Sequence, residues 1–284
     1  MLLSLFNYFY LETTLLKDKF EKYKFGWNYG YKYTSLFNNY DLEIFSMVHV
    51  FTYNKNYDNI LHVDLRNNCP NIYDQGHLGS CTANSLAFLY HYDELKQNNK
   101  NIFMPSRLFI YYNERSIEGH INSDAGAEIF DGVTSISDIG VCSEDLWEYD
   151  ITKFKLKPSP DCYKNAKLHK CILYLAIEQS LEQIKSALIE GFPVSYGMLI
   201  YKSFMTDEVI KTGKVPMPDV YHEQLLGGHA LAIVGFNDKT KHFIIRNSWG
   251  TDWGEKGYGY VPYEYILNKR LASDFWIFKK VKTN

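Results

Sequence analysis

The chain has 284 residues, 46% of them hydrophobic, which excludes global disorder and allows one large domain or two lobes sharing an interface. A net charge of -3 gives no electrostatic case for nucleic acid as the main ligand, and no apolar run approaches the roughly 20 residues of a membrane span. Five cysteines (Cys69, Cys81, Cys142, Cys162 and Cys171) are scattered without a Cys-x-x-Cys pair, so neither a zinc site nor a dense disulfide framework is indicated, and no metal or cofactor is expected.

Residues 1–61 read as an N-terminal arm laid over the rest, with a propeptide-like cover over a cleft as the functional alternative. Met1 to Tyr10 is apolar but lacks a basic start and a small-residue cleavage site, which argues against secretion. Cys69 to Ser80 is loop. From Thr82 to Gln97, Ala83, Leu86, Ala87 and Tyr90 recur at helical spacing, and Phe88 and Leu89 make the early turns apolar all round. This predicts a centrally buried helix with Ser80 as its N-cap. Pro105 to Arg115 reads as a second helix, and a short third helix follows the turn at Ser123 to Ala127. Pro158 and Pro160 mark Lys157 to Asp161 as a crossing between lobes. Ser180 and Gln183 form a capping-box pattern for a helix ending at Glu190, before Gly191. Strands then dominate: Val194 to Ile200, Gly228 to Phe236, His242 to Ser248, Tyr258 to Val261 and Phe275 to Val281. A helical half followed by a mainly antiparallel β-rich half is an α+β pattern, split at about residues 75–157 and 158–284.

Chemistry concentrates at one place. A glycine-bearing loop delivers Cys81 to the head of the buried helix, where unpaired N–H groups and partial positive charge favour a thiolate. Gln75 lies just upstream as a candidate oxyanion donor. A thiolate nucleophile needs a base, and the base needs an orienting partner. His229, early on one strand, and Asn247, late on the next, approach each other across the expected hairpin. Trp249 would shield their hydrogen bond from water. His77 and His242 have no comparable setting.

These residues carry a resemblance. Gln75 to Cys81, Gly228-His229-Ala230 and Asn247-Ser248-Trp249-Gly250-Thr251-Asp252-Trp253-Gly254 are similar to the three active-site blocks of the papain-like (C1) cysteine peptidases. The cysteine follows the glutamine by 6 residues, the histidine follows the cysteine by 148, and the asparagine follows the histidine by 18. The likeness runs from about Leu65 to Phe278 and is strongest to a cytosolic-type branch of bacteria and large DNA viruses. It implies a two-lobed fold with a cleft between a helical and a β-rich lobe, residues 62–284 forming the peptidase domain. It implies that Cys81 attacks a peptide carbonyl, His229 acts as base and then acid, Asn247 orients His229, and Gln75 with the Cys81 N–H holds the oxyanion. Gly126, Gly227, Ala230 and Trp249 would contact substrate. The partner implied is a peptide or protein substrate, with no nucleic acid or membrane and a monomeric state. The location implied is the cytoplasm, or the virion if the chain is viral. The alternatives are a catalytically silent peptide-binding or packaged structural protein, and acyl transfer by the same groups. Thr82, Leu78 and Gly228 depart from the lysosomal pattern, which has Trp after the nucleophile, a disulfide cysteine three before it, and Asp or Asn before the histidine.

Overall fold

Cys81–Lys96 forms the expected buried helix, α1, with every residue from Cys81 to Tyr90 out of solvent. The structure, a computed structural model, describes Phe51, Tyr57 and residues 59–282. The expected arm therefore lies outside the described residues except at Phe51, Tyr57 and residues 59–61. Phe51 is buried in the main core and donates its N–H to Ala176 O at 3.1 Å.

Two helices pack beside α1. Arg107–Ile117 (α2) begins two residues after Pro105, because Ser106 takes the cap position and accepts from the Phe109 N–H. Ile129–Asp138 (α3) follows the expected turn. Pro160–Ala166 is a fourth helix, α4, and it begins inside the stretch Lys157 to Asp161 expected as a crossing. Pro160 occupies the first turn, where its missing N–H costs nothing and its fixed φ suits a helix, and Ser159 accepts from the Cys162 N–H. Tyr163 packs on Phe109 with ring centroids 5.0 Å apart, so this segment covers the helical layer.

The other layer is one antiparallel sheet. Lys170–Ala176 (β2), Ala272–Lys282 (β7), Val194–Tyr201 (β3), Leu225–Asn237 (β4), His242–Arg246 (β5) and Tyr258–Pro262 (β6) lie side by side in that order, and His62–Asp64 (β1) pairs with β4. Helix Leu181–Ile189 (α5) packs on β3 and β4; Asp207–Thr212 (α6) and Tyr263–Leu267 (α7) lie in the connections. Ser180 caps α5 by accepting from the Gln183 N–H, but Gln183 does not complete the box: its Oε1 is buried without a partner, and the Ser180 N–H goes to Glu178 O.

The layers meet along α1. Ser85 donates from Oγ to Leu231 O of β4 at 2.9 Å and bonds Ser195 of β3 at 2.8 Å. On the opposite side, Thr82 donates from Oγ1 to Oε2 of the fully buried Glu114 at 2.8 Å. Burial pushes the Glu114 carboxyl up from 4.5 to about 8, so the folded chain keeps a proton there that the unfolded chain releases. The stability this proton supplies is full below pH 4.5 and is lost as pH rises towards 8. Glu114→Gln keeps an oxygen for Thr82 and removes the titration. The stability of the wild type relative to this variant is expected to fall by about 3 kcal/mol between pH 4.5 and 7.5, read by denaturant unfolding at several pH values. A difference that stays flat across that range would refute the assignment.

Candidate active site

The loop from Asp74 to Ser80 is tied down from both layers. Its Gln75 N–H donates to Ser248 O at 2.8 Å, Asp74 bridges to Trp249, and Gly250 N–H donates to Tyr73 O at 3.1 Å. The loop is thus fastened to the segment that follows β5. From the helical side, Gly79 N–H donates to Asp124 Oδ1 at 3.0 Å, and Tyr111 donates its hydroxyl proton to the same carboxylate oxygen at 2.5 Å.

Gln75 is almost fully buried, and both ends of its amide are engaged. Oε1 accepts from Ser248 Oγ at 2.6 Å, and Nε2 donates to Leu78 O at 2.9 Å. Since an amide nitrogen carries two hydrogens, one remains for a ligand.

Cys81 opens α1, so its own N–H and those just after it have no partner inside the helix. Ser80 stands at the cap position without capping: its hydroxyl is engaged by Tyr149 and by Asn84 Nδ2, the latter at 3.1 Å. One turn beyond Cys81 is Ser85, and its partner Leu231 lies two residues beyond His229. The helix head and the His229 stretch of β4 therefore run side by side.

His229 is fully buried, with Nε2 2.8 Å from Asn247 Oδ1. The direction of that bond follows from a second one. Ser248 N–H donates to the same Asn247 oxygen at 2.8 Å, which only an acceptor can satisfy. The atom is therefore oxygen, His229 carries a proton on Nε2, and Nδ1 has no hydrogen-bond partner, so in the neutral ring it holds the lone pair. Trp249 stacks on the imidazole at 4.7 Å and 25°, and meets Phe204 and Trp253 edge-on. Burial pushes His229 down from 6.5 to about 4, opposed by the bond to Asn247.

The sequence-derived residues divide accordingly. His229 contacts Asn247 and Trp249 directly, Gln75 is bonded to Ser248 between those two, and Cys81 is carried beside them on α1. Gly126, at φ +77°, is buried and donates its N–H to Tyr111 OH at 3.3 Å, so that donor faces the protein rather than an open groove. Gly227 and Ala230 flank His229 on β4, opposite Ile200 and Gly197 of β3. His77 is exposed, and His242 points Nδ1 at Thr240 O in its own turn. Tyr149, Arg107, Asp124 and Phe204 were not singled out from the sequence. Their partners lie 13 or more residues away, and the sequence assigns none of them a role.

Comparison with known proteins gives concordant results. A family model described as papain family cysteine protease matches residues 61–271. The chain is 50% identical over 216 residues to an uncharacterized peptidase C1-like protein of Acanthamoeba polyphaga mimivirus, covering 73% of this chain and 69% of that one. It is 29% identical over 194 residues to cathepsin K of Gallus gallus, covering 65% of this chain and 53% of that one. Among solved structures, xylellain, a cysteine protease from Xylella fastidiosa, matches with a TM-score of 0.79 and 38% identity, over 92% of this chain and 98% of that one. The digestive procathepsin L 3 of Tenebrio molitor shares the fold, with a TM-score of 0.64 and 19% identity over 87% of this chain and 75% of that one.

Proposed function

We propose that this chain, which belongs to the papain family of cysteine proteases, is an endopeptidase that cleaves peptide bonds through Cys81, His229 and Asn247 with Gln75 as oxyanion donor. The observation that carries this reading is the fixed Asn247 amide. Because Ser248 N–H pins Oδ1 towards His229, the neutral imidazole keeps its proton on Nε2 and presents Nδ1 as the base. Cys81 Sγ gives its proton to that nitrogen and attacks the scissile carbonyl carbon. Charge develops on the carbonyl oxygen, where the spare Gln75 Nε2–H and the Cys81 N–H donate to it. Collapse of the tetrahedral intermediate expels the amine, which takes the proton back from His229. Water, activated by the same nitrogen, then releases the acyl group and restores the thiol.

Gly227, Ala230 and Trp249 are proposed to contact the substrate near the cut, and Gly126 through its carbonyl oxygen, its N–H being held by Tyr111. Unbridged thiols at all five cysteines suit a reducing compartment, proposed as the cytoplasm or, if the chain is viral, the virion. Among the described residues no helix is long and apolar enough to cross a membrane. Residues 62–284 are proposed as the peptidase domain, preceded by the arm.

An epoxysuccinyl peptide tests the reading. It is expected to add one equivalent to Cys81, and a peptide blocked at both ends is expected to be cut internally. A folded protein that takes up no label is a silent binder, and products captured by added amine rather than water mark a transferase. The pH profile provides a separate check. Since burial holds His229 neutral down to about 4, the acid limb of kcat/KM is expected near pH 4 and not near 6.5. A limb at 6.5 would mean a base exposed to water.

A further inference from the structure

Resting on the reading of Gln75 and Cys81 as the sources of the oxyanion donors, we infer that Tyr149 is a positioning residue that locks those two donors into one rigid unit. Its hydroxyl donates to Gln75 O at 3.0 Å and accepts from the Ser80 hydroxyl. It is thereby tied both to the residue that carries the amide donor and to the residue immediately before the backbone donor. The Cys81 N–H belongs to the peptide plane that starts at Ser80 C=O. Fixing that carbonyl therefore fixes the direction of the N–H. Asn84 completes the hold, donating to Ser80 O from its side chain at 2.9 Å and from its backbone at 3.0 Å.

Behind Tyr149 stands Arg107. Its guanidinium lies 4.0 Å above the Tyr149 ring, and Nη2 donates to Glu144 Oε1 at 2.7 Å. Nη1 donates to Asp74 O at 3.0 Å and to Asn84 Oδ1 at 3.3 Å. Every link runs from a donor to an acceptor: Arg107 to Asn84, Asn84 to Ser80, Ser80 to Tyr149, and Tyr149 to Gln75 O. The circuit closes at Asp74, the neighbour of Gln75, so the loop that carries both oxyanion donors is spanned at both ends. Burial pushes the Tyr149 phenol up to about 12, which keeps the proton it donates in place across the neutral range.

A hydroxyl that positions an oxyanion hole has a signature that a merely structural hydroxyl lacks. Peptide hydrolysis places charge in the hole, whereas alkylation of Cys81 by iodoacetamide does not and reports only on the thiol and its base. Tyr149→Phe keeps the ring under Arg107 and removes only the hydroxyl. It is expected to lower kcat on a peptide substrate about 10-fold, with KM within about twofold and the alkylation rate of Cys81 unchanged. Ser80→Ala removes the other end of the same bridge. Combined with Tyr149→Phe it is expected to add less than the product of the two single effects, and it serves alone if Tyr149→Phe does not fold. Wild-type kcat in Tyr149→Phe, or parallel losses in hydrolysis and alkylation, would overturn the inference. A wild type that neither hydrolyses peptide nor alkylates at Cys81 would instead overturn the reading of the site itself.

Discussion

Cys81→Ala is expected to lower kcat by about 10⁶-fold while the protein stays folded and still binds peptide. The size follows from the kind of group removed. Without the sulfur there is no acyl intermediate, and what remains is the acceleration that the oxyanion donors and substrate positioning give to direct attack by water. Cys81→Ser is expected to lose almost as much, because a hydroxyl needs a stronger base than an imidazole that burial has pushed down to about 4. Cys69→Ser should leave kcat at its wild-type value. The Cys69 thiol is pushed up to about 11, mainly by burial, and lies outside the site. Burial likewise raises the thiols of Cys142 and Cys171. Progress curves and intact-mass labelling with the epoxysuccinyl peptide distinguish these variants. Residual turnover in Cys81→Ala within 100-fold of wild type would reassign the nucleophile.

The site was more legible in the sequence than the frame that holds it, for a physical reason. The proposed nucleophile, base and orienting amide each sit on an element with its own local signal: an all-round apolar helix for Cys81, and a hairpin with a polar turn for His229 and Asn247. Elements without such a signal were missed. β1 has three residues and exists because Val63 pairs with Phe236. β2 owes its place to β7, more than a hundred residues further on, where Leu173 faces Lys280 across an irregular register. Ser80 illustrates the same limit at one residue. Its type and position predict a helix cap, yet its hydroxyl is taken by Tyr149, which the fold brings from 69 residues away. Pro160 lies in the stretch expected as a crossing and opens a helix there, because proline disrupts only a helix interior. Local chemistry pointed to the groups proposed to touch substrate. The second tier, Arg107, Asn84, Tyr149 and Asp124, is defined by contacts across the fold.

That second tier bears on the other large expected effect, the replacement of Gln75. Its Oε1 holds Ser248 and its Nε2 holds Leu78, so Gln75→Ala would disturb the loop as well as remove the donor. Gln75→Glu keeps the Ser248 side of that hold, which Gln75→Ala would lose. A carboxylate still accepts from Ser248 Oγ, but the other oxygen has no proton for Leu78 O or for the oxyanion, and its charge repels the tetrahedral intermediate. We expect kcat to fall by about 10²–10³-fold, the range for loss of one oxyanion donor, with KM changed far less. The alkylation rate of Cys81 by iodoacetamide should remain near wild type, because Asn247 keeps both its partners, His229 Nε2 and Ser248 N–H. Measured beside Tyr149→Phe, the variant orders the tiers: direct loss of a donor should exceed loss of the hydroxyl that aims it. A Gln75→Glu enzyme that retained wild-type kcat would leave the Cys81 N–H as the sole oxyanion donor, and with it remove the reason for the bracing that runs from Arg107 to Gln75.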